Sequence, residues 1–463
     1  MAIPTSIRLP LVWVEAVERA RASDQSAERG LLIGPASTAT TGPYLVQSVD
    51  AAIARWGRGT PIVEMVRAAL DAHPKGEWWA IGQPDPSSGS AAYWTSTLSG
   101  SATASGTVRL WIGRRRYSIA VASGDTAATV ATAIQGAIEA DSDAPVTVSV
   151  ATATITLTAR VKGVIGGSLR IAWDEATIAP TGLTLGDWSA TAGTGDHALP
   201  SLPPVPYNKI AIADDALMDD LGAVLDARWS YSSMLWGWGV SCVRGEADTL
   251  ATAALAAEYQ YRHMTRCAIE TACRSSPWEV AAAVCGVAML KSQSKPGITV
   301  SGDSLALEGP AQASWTGAQQ DTLLRYGVSP VVGRTLTIAR ITTTRWSDGN
   351  GGRDERSYQA PQMWALEVFL RRLTAAMRAT FRGRRLLADS DYTPPDAATP
   401  GTIRSWIESW LKAQAADGII EWRPDLLEQI TVTRSEDDPS RVDIYLPVDL
   451  VDGLEVLAAE VAY

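Results

Sequence analysis

Apolar and polar residues alternate in two short segments near the end of the sequence, residues 430–433 and 441–446. A period of two is typical of a half-buried β-strand. The residues between the segments are turn formers and include Pro439. Pro447 ends the second segment, because proline cannot donate a hydrogen bond to a sheet. The pattern predicts a β-hairpin.

The predicted hairpin is followed by residues 448–463, a segment rich in Val, Leu and Ala. Fully extended, it reaches roughly 50 Å at ~3.3 Å per residue, about the width of a domain. An apolar segment of this length must be buried. It can add a strand to the sheet of a neighbouring copy, or it can form a terminal helix on its own domain. The residues with helical spacing are Leu450, Leu454, Leu457 and Val461.

Another alternating segment, residues 11–15, lies near the start of the sequence, where Pro4 and Pro10 oppose a helix. This segment is predicted to be either an N-terminal arm or the first strand of the core sheet. Residues 29–34 combine glycine and large aliphatic residues in a run that is typical of a strand buried on both faces.

The segment that begins at Ser48 has an ordered series of helix signals. Ser48 or Asp50 can cap a short helix, which Gly57 ends. Thr60 and Pro61 are then the N-cap and first residue of a second helix. The Gly-x-Gly in the turn lacks the third glycine and the preceding strand of a dinucleotide-binding loop, so phosphate binding is not predicted.

A change of composition introduces an inserted module, assigned to residues 97–194. Residues 84–106 are dense in Ser, Gly, Ala and Thr, which predicts a linker or a loose hairpin. A hairpin over residues 107–122, a helix capped by Asp125 and further strands within residues 146–173 follow. Four or five strands and one helix can form a small, independent α+β module.

Strands and helices alternate over residues 207–344. Helices are predicted to begin near Asp214, Glu246 and Pro277. The predicted strands are residues 209–213, 240–243, 265–269 and 336–343. This βαβ order favours a mostly parallel sheet covered by helices.

A long helix is predicted over residues 361–382, with an apolar residue at every third or fourth position. Arg371, Arg378 and Arg382 form a second stripe, because they lie within about 60° of one another at ~100° per residue. The stripe is either a solvated face or a contact with an acidic partner. Another amphipathic helix is predicted over residues 402–416.

Composition narrows the function classes. A length of 463 residues is enough for two to four domains. The net charge of −10 argues against nucleic-acid binding, and no apolar run approaches the ~18 residues of a membrane span. The four cysteines lack C-x-x-C spacing, which predicts buried, reduced thiols. The 18 Trp residues are expected mainly in cores and interfaces.

No catalytic site is predicted. The three histidines are His73, His197 and His263. None lies in a serine-protease context, and no serine lies in a Gly-x-Ser-x-Gly turn. No two histidines have the spacing of metal ligands. The acidic residues from Asp214 to Asp220 are better explained by helix capping and by the helix dipole than by a metal. We therefore expect no enzyme activity, no cofactor and no metal.

The sequence resembles contractile phage tail sheath proteins of the Mu-like type. Residues 441–451, RVDIYLPVDLV, look like the closing signature of that family, and residues 48–82 and 106–173 also resemble it. The resemblance implies an α/β and α+β multidomain fold. Its discontinuous core domain would have a parallel-type, subtilisin-like α/β sheet and an inserted small α+β or β-sandwich module. Extended N- and C-terminal β-arms would complete the chain.

The resemblance and the composition changes together predict six parts. They are 1–22, the N-terminal arm; 23–96, the first part of the core domain; 97–194, the inserted module; 195–345, the subtilisin-like sheath domain; 346–447, the C-terminal sheath domain; and 448–463, the C-terminal arm.

The resemblance implies a structural subunit that polymerises as stacked hexameric rings around a tail tube and contracts to drive the tube through the host envelope. The implied partners are copies of itself, the tail tube protein, and baseplate and tail terminator proteins. Localisation in the virion, after assembly in the host cytoplasm, is implied as well. The rival functions are a Trp-rich adhesin or carbohydrate-binding surface protein, and a serine hydrolase.

The family also implies roles for particular residues. Its arms leave one subunit and join a sheet in a neighbour, and a helix of its C-terminal domain faces the tube. The residues predicted to exchange between subunits are Leu11, Val12, Trp13, Val14, Leu454, Val456 and Val461. The residues predicted to contact the tube are Arg371, Arg378 and Arg382.

Overall fold

A computed structural model of the chain describes residues 28–174, 177, 179–257, 259–345, 358–389 and 394–455. The described residues form two compact units. The core unit contains residues 28–290 and 300–360, and the C-terminal unit contains residues 291–299 and 361–455. Both units mix helices and strands, which confirms the predicted mixed α/β, multidomain class.

The strands are numbered in chain order. They are β1 Arg29–Pro35, β2 Tyr44–Val46, β3 Glu77–Gln83, β4 Ala91–Thr97, β5 Ser99–Gly100, β6 Gly106–Ile112, β7 Arg115–Val121, β8 Val146–Ala151, β9 Thr154–Lys162, β10 Ile171–Trp173, β11 Leu183–Thr184, β12 Ser189–Thr191, β13 Lys209–Ile212, β14 Trp238–Gly245, β15 Met264–Glu270, β16 Ser304–Glu308, β17 Val328–Val332, β18 Thr335–Ile338, β19 Arg385–Leu386, β20 Ala397–Ala398, β21 Thr431–Arg434 and β22 Val442–Tyr445.

The helices are numbered in the same way, and two short 3₁₀ helices, Val164–Ser168 and Asp215–Leu217, are left unnumbered. They are α1 Val49–Trp56, α2 Pro61–Ala72, α3 Ala127–Glu139, α4 Met218–Arg228, α5 Ala247–Ala257, α6 Pro277–Ser294, α7 Gly317–Arg325, α8 Ala360–Phe381, α9 Pro400–Ala416 and α10 Pro424–Leu427.

A nine-stranded sheet organises the core unit, in the order β16-β18-β17-β15-β14-β13-β1-β3-β2. The six central strands from β17 to β3 run parallel to their neighbours, and antiparallel strands occur only toward the edges. A parallel sheet must be covered on both faces, and every residue of β13 and β15 is buried accordingly. The predicted parallel α/β sheet is therefore present.

Local signals place the first two helices as predicted. The Ser48 hydroxyl accepts a hydrogen bond from the Ala51 amide at 3.2 Å, which caps α1. Gly57, with φ of 87°, follows the end of α1 in a conformation that favours glycine. Thr60 is the N-cap residue of α2, and Pro61 is its first residue.

Within the core unit, the segment predicted as an inserted module over residues 97–194 extends back to Ser90, whose antiparallel pairing with Thr194 closes its base. It contains a four-stranded sheet, β12-β4-β9-β8, and a three-stranded sheet, β10-β6-β7. The predicted linker over residues 84–106 is wrong where β4 forms, because Ala92 and Trp94 are buried on one side of that strand. The predicted cap of α3 is also wrong: Thr126 caps the helix, and Asp125 accepts from the Ala122 amide instead.

Two predicted elements of the core unit are shorter than expected. The strand over residues 336–343 ends at Ile338. Beyond it, the Thr342 amide donates to the Ser329 hydroxyl at 2.9 Å and the Thr343 amide donates to the Tyr358 carbonyl at 2.8 Å. The helix predicted from Glu246 to about Arg262 is formed by Ala247–Ala257. Hydrogen bonds from outside the local pattern thus end the strand.

The C-terminal unit packs α8, α9 and the β21–β22 hairpin around one apolar cluster. It is centred on Phe369, Ile403, Ile407, Leu411 and Ile430. The helices predicted over residues 361–382 and 402–416 correspond to α8 and α9, and the predicted closing hairpin is present. Periodicity was sufficient to find these elements because each has one apolar face.

The tryptophans and cysteines are largely where composition predicted them. The buried tryptophans include Trp56, Trp78, Trp94, Trp238, Trp278, Trp315 and Trp364. All four cysteines are buried free thiols. Among the helices of the described ranges, none has the length and apolar character to cross a membrane.

Candidate assembly surfaces and the test for a catalytic site

The β21–β22 hairpin is a two-stranded sheet with register Val432 opposite Ile444. Val432 and Ile444 pack against the apolar cluster of the C-terminal unit, whereas Tyr445 points outward and is 59% exposed. Within the described residues, β21 and β22 pair only with each other. Both outer edges therefore present unpaired backbone groups, the feature to which an extended segment adds as a strand.

The chain after the hairpin is extended and lies along its own unit as far as Glu455. The Glu421 amide donates to the Asp449 carbonyl at 2.8 Å, and the Val451 amide donates to the Ile419 carbonyl at 3.2 Å. Leu450 pairs with Ile420 between these two hydrogen bonds. The alternative of a terminal helix is wrong for residues 448–455, because none of them is helical and backbone pairing with residues 419–421 holds residues 449–451 extended.

Of the seven residues predicted to exchange between subunits, the structure describes Leu454. The Thr299 hydroxyl donates to Glu455 Oε1 at 2.7 Å, so the segment is still held at Glu455. Leu454, one residue earlier, is 74% exposed and has the largest exposure among the large apolar side chains described. The others, Leu11, Val12, Trp13, Val14, Val456 and Val461, lie outside the described residues. Strand exchange stays a prediction.

The three arginines predicted to form a stripe on α8 differ in exposure and in their charged partners. Arg371 is only 19% exposed, and its Nε lies 3.6 Å from Oε1 of buried Glu367 one turn earlier. Arg378 is half-buried and Arg382 is exposed. In the part of the chain that the structure describes, no carboxylate lies within 4.0 Å of the guanidinium of Arg378 or Arg382. The predicted tube contact is untested, and these two residues are its best-placed members.

The histidines do not form a triad. His263 stacks on Trp229 with ring centroids 4.1 Å apart, and burial lowers the pKa of its imidazole to about 3, with a further contribution from Arg262. Its Nε2 lies 3.5 Å from Asp226 Oδ1, but that carboxylate is 55% exposed, so solvent weakens the attraction. No serine hydroxyl in the described ranges is hydrogen-bonded to His263.

His197 and the acidic residues have structural partners. The buried His197 ring lies 3.9 Å from the Asp214 carboxylate, and burial lowers the pKa of this imidazole. Asp214 caps the 3₁₀ helix that precedes α4, as predicted. Asp215 accepts from Arg266 Nε at 3.0 Å and from Ser241. Of the described residues, no three His, Cys, Asp or Glu side chains are grouped to hold a metal.

A cavity of about 250 Å³ lies between the inserted module and the helices α2 and α6. Sequence reasoning missed it, since its lining comes from segments far apart in the chain. Arg114 and Arg115 reach it from the β6–β7 turn, Glu64 from α2 and Glu279 from α6. Arg114 Nε donates to Glu279 Oε1 at 2.7 Å. The charges satisfy one another, which is the arrangement of an internal interface.

Comparison with known proteins found no matching family model. The chain is 25% identical over 485 aligned positions to the Mu-like prophage FluMu tail sheath protein of Haemophilus influenzae. The alignment covers 100% of this chain and 98% of that protein. The predicted resemblance to Mu-like tail sheath proteins is thereby confirmed.

Three solved structures match this chain over most of its length. A sheath tail protein from Desulfitobacterium hafniense has a TM-score of 0.49 and 11% identity, covering 96% of this chain and 97% of that chain. A sheath tail protein from Listeria innocua has a TM-score of 0.48 and 10% identity, covering 92% of this chain and 93% of that chain. A chain of the anti-feeding prophage baseplate in the contracted state has a TM-score of 0.45 and 10% identity, covering 99% of this chain and 99% of that chain.

Proposed function

We propose that this chain is the sheath subunit of a contractile tail. It assembles as hexameric rings stacked helically around a tail tube, and its contraction drives the tube through the host envelope. The observation that carries the proposal is the end-to-end alignment with a tail sheath protein, which covers 100% of this chain and 98% of that relative. A shared module alone would not produce a match over the inserted module, the core and the C-terminal unit together.

The C-terminal unit supplies a suitable device for linking subunits. The outer edges of β21 and β22 are open among the described residues, and a two-stranded sheet is only marginally stable without further strands. Residues beyond Glu455, with the N-terminal segment around Leu11 to Val14, are long enough to reach a neighbour. Added strands share backbone hydrogen bonds with their host, so they keep subunits linked while the globular units rotate.

Contraction of such an assembly requires no catalytic group. The free energy comes from new contacts between the bodies of neighbouring subunits, released once from a metastable arrangement. The buried, deprotonated rings of His197 and His263 and the buried thiols fit a structural subunit. A hydrolase would need a nucleophile hydrogen-bonded to one of these bases. The adhesin alternative rests on the module alone and does not explain the match of the remaining chain.

The partners follow from the same proposal. The tail tube lies inside the sheath, and Arg378 and Arg382 on α8 are the residues that we assign to it. Baseplate and tail terminator proteins lie at the two ends of the stack. The assembled subunit belongs to the virion, after assembly in the host cytoplasm.

Negative-stain electron microscopy of the purified chain tests the proposal. We expect tubes or stacked rings with six-fold symmetry that appear as protein concentration rises. A matched variant that ends at Glu455 should give single particles under the same conditions. Monomers of the intact chain at every concentration, in the presence of isolated tail tubes as well, would contradict the sheath function.

A further inference from the structure

The inserted module contacts the rest of the core unit, called the core below, through the turn between β6 and β7. Arg114 reaches Glu279 of α6, with Nε 2.7 Å from Oε1, and its Nη2 lies 4.0 Å from Oε2 of Glu64. Arg115 lies 3.4 Å from the Glu64 carboxylate and donates to Asp141 within the module at 2.9 Å. Two arginines of the module thus enter an acidic site formed by α2 and α6.

A second set of ion pairs joins the same two parts, but here the arginines belong to the core and the carboxylate belongs to the module. Arg58 Nη1 lies 2.7 Å from Oδ1 of Asp143 in the module, and Arg67 Nη2 lies 3.6 Å from the same carboxylate. Gly59, with φ of 68°, lies so close that a Cβ there would be 2.4 Å from the Ala144 carbonyl oxygen. The backbones of the core and the module therefore touch at this turn.

An aromatic contact lies at the far side of the β6–β7 turn. The guanidinium of Arg274, in the core, lies 4.1 Å from the ring centroid of Trp111 in the module. An arginine at this distance over an indole face is stabilised by the ring quadrupole. The contact is thus held at Asp143, at Arg114 and at Trp111, three positions that do not lie on one strand.

The central charges are shielded from water. The side chain of Glu279 is 5% exposed, that of Glu64 is 14% exposed and that of Arg114 is 23% exposed. Removal of one member of a buried ion pair leaves the other charge without compensation, which is costly. Arg114 is the critical member because it lies between two carboxylates that repel each other when it is absent.

We propose that these contacts form an electrostatic clasp that fixes the inserted module on the rest of the core unit, so that the two parts move as one rigid body. The clasp comprises Arg114, Arg115 and Asp143 of the module and Arg58, Glu64, Arg67 and Glu279 of the core. The connecting segments also contact the module, where the Lys162 amide donates to Asp85 at 3.0 Å and the Val164 amide donates to the Gly195 carbonyl at 3.1 Å. The clasp adds further contacts at the β6–β7 turn and at Asp143. This inference is independent of the sheath function.

The electrostatics of Glu64 give the clasp a characteristic response to substitution. Burial raises the pKa of Glu64 and the nearby Glu279 carboxylate raises it further, whereas Arg67, Arg115 and Arg114 lower it. The net direction is upward, so the charged form of Glu64 is less favoured here than in water. Loss of the Glu64 charge should leave the clasp closed, whereas loss of the Arg114 charge should open it.

Hydroxyl-radical footprinting of the full chain measures the opening. Trp278 and Leu169 line the cavity and are 4% and 6% exposed, so they become labelled only when the module moves away. Arg114→Ala should increase their labelling at least ~10-fold, because a buried ion pair is broken. The buried Trp238 of β14, which is 1% exposed, is the internal reference and should stay unlabelled.

Arg116→Ala is the matched control. Arg116, two residues along the same hairpin, pairs at 2.7 Å with Asp174 inside the module. Its loss removes an ion pair inside the module and a contact with the Trp111 ring, whose centroid lies 5.6 Å from the Arg116 guanidinium, but no ion pair with the core. Labelling of Trp278 should therefore remain at the wild-type level. Labelling of Trp278 in Glu64→Gln should also remain at the wild-type level. In the double variant Glu64→Gln with Arg114→Ala, Trp278 should be labelled less than in Arg114→Ala alone.

Equal labelling of Trp278 in Arg114→Ala and Arg116→Ala would overturn the clasp. If Arg114→Ala does not fold, Arg114→Gln replaces it, since glutamine keeps part of the side-chain volume and removes the charge. Labelling of Trp278 and Leu169 should then rise relative to the wild type while Trp238 stays protected. Wild-type labelling in a folded Arg114→Gln would overturn the proposal as well.

Discussion

Buried polar residues of the core unit are satisfied by partners that lie far away in sequence. Arg266 of β15 binds Asp215, 51 positions earlier. Arg244, which is partly buried, donates to the carbonyls of Cys273 and Ser275 at 2.8 and 2.7 Å. A buried charge without such partners would cost several kcal/mol. These pairings therefore specify how the strands and loops of the core unit are arranged.

His263 makes the stability of the core unit depend on pH. The pKa of its imidazole is about 3 in the folded chain, well below the ordinary value of 6.5. Between these two values the unfolded chain binds a proton that the folded chain does not, so stability falls as pH decreases from 6.5 toward 3. This residue contributes a slope of about 1.4 kcal/mol per pH unit.

Replacement of His263 by Phe should remove that slope. A phenyl ring can still stack on Trp229, but it does not titrate. We expect the free energy of unfolding, measured by urea titration between pH 8 and pH 4, to fall less steeply for His263→Phe than for the wild type. Above pH 7 the difference between the two proteins should be constant. Parallel curves over the whole range would contradict a depressed pKa at His263.

At the scale of elements, α8 combines an inward apolar stripe with arginines that have different environments. Arg371 interacts with buried Glu367, so Arg371→Gln would mix a loss of stability with any loss of binding. Arg378 and Arg382 lack this complication. The tube test is therefore sharper with these two residues than with the whole stripe.

Substitution of Arg378 and Arg382 by Gln should weaken binding of the sheath subunit to isolated tail tubes. Two rim charges of ~0.2–1 kcal/mol each correspond to a loss of roughly 2- to 30-fold. The dependence of binding on salt should also become flatter. Co-sedimentation with tubes measures both effects. Arg325→Gln with Arg334→Gln, two exposed arginines of the core unit, gives the same change in charge as a control.

If the Arg378 and Arg382 double variant binds tubes as the wild type does at low salt, the stripe is a solvated face. If the control variant weakens binding equally, net charge rather than α8 is responsible. Either result would remove α8 from the proposed tube contact.

The C-terminal segment contains two parts with different expected roles. Residues 449–451 pair with residues 419–421 of their own unit, and Val448 and Leu450 pack on its apolar cluster. A variant that ends at Pro447 should therefore melt at a lower temperature, because each fully buried Val or Leu contributes about 1.5–3 kcal/mol. A variant that ends at Glu455 should melt as the intact chain does but should form no tubes.

Thermal melting and electron microscopy of both truncations, at a concentration where the intact chain is monomeric, separate the models. A collapse of the melting transition on removal of residues 456–463 alone would show that these residues pack on their own unit. Normal tubes from the variant that ends at Glu455 would exclude them from subunit exchange. Either outcome rejects the exchanged-arm model for this end of the chain.

At the scale of the whole molecule, the inserted module should be dispensable for assembly. Ser90 and Thr194 exchange backbone hydrogen bonds of 3.1 Å, so residues 91–193 can be replaced by a two-residue Asn-Gly hairpin turn. Glu64→Gln and Glu279→Gln should accompany the deletion, since both carboxylates lose Arg114. We expect tubes of reduced diameter by electron microscopy. A folded deletion variant that forms no tubes would give the module a role in assembly.

Much of the secondary structure followed from local patterns. The apolar stripes of α8 and α9, the caps at Ser48 and Thr60, and the alternation in β21 and β22 each depend on residues within one or two turns of one another. Backbone propensity, capping and face periodicity act over this distance. The parallel sheet was predicted for the same reason, since alternation of strands and helices constrains the topology.

Contacts between distant segments were not predictable in this way. Arg114 reads as part of a turn, and nothing in its neighbourhood indicates that Glu279, 165 positions later, receives its hydrogen bond. Residues 448–455 fit a strand or a helix equally well, and only pairing with residues 419–421 decided between them. The physical reason is that a local pattern specifies which face of an element is apolar, whereas the partner of that face, or of a buried charge, depends on which remote residues the folded chain brings within a few ångströms.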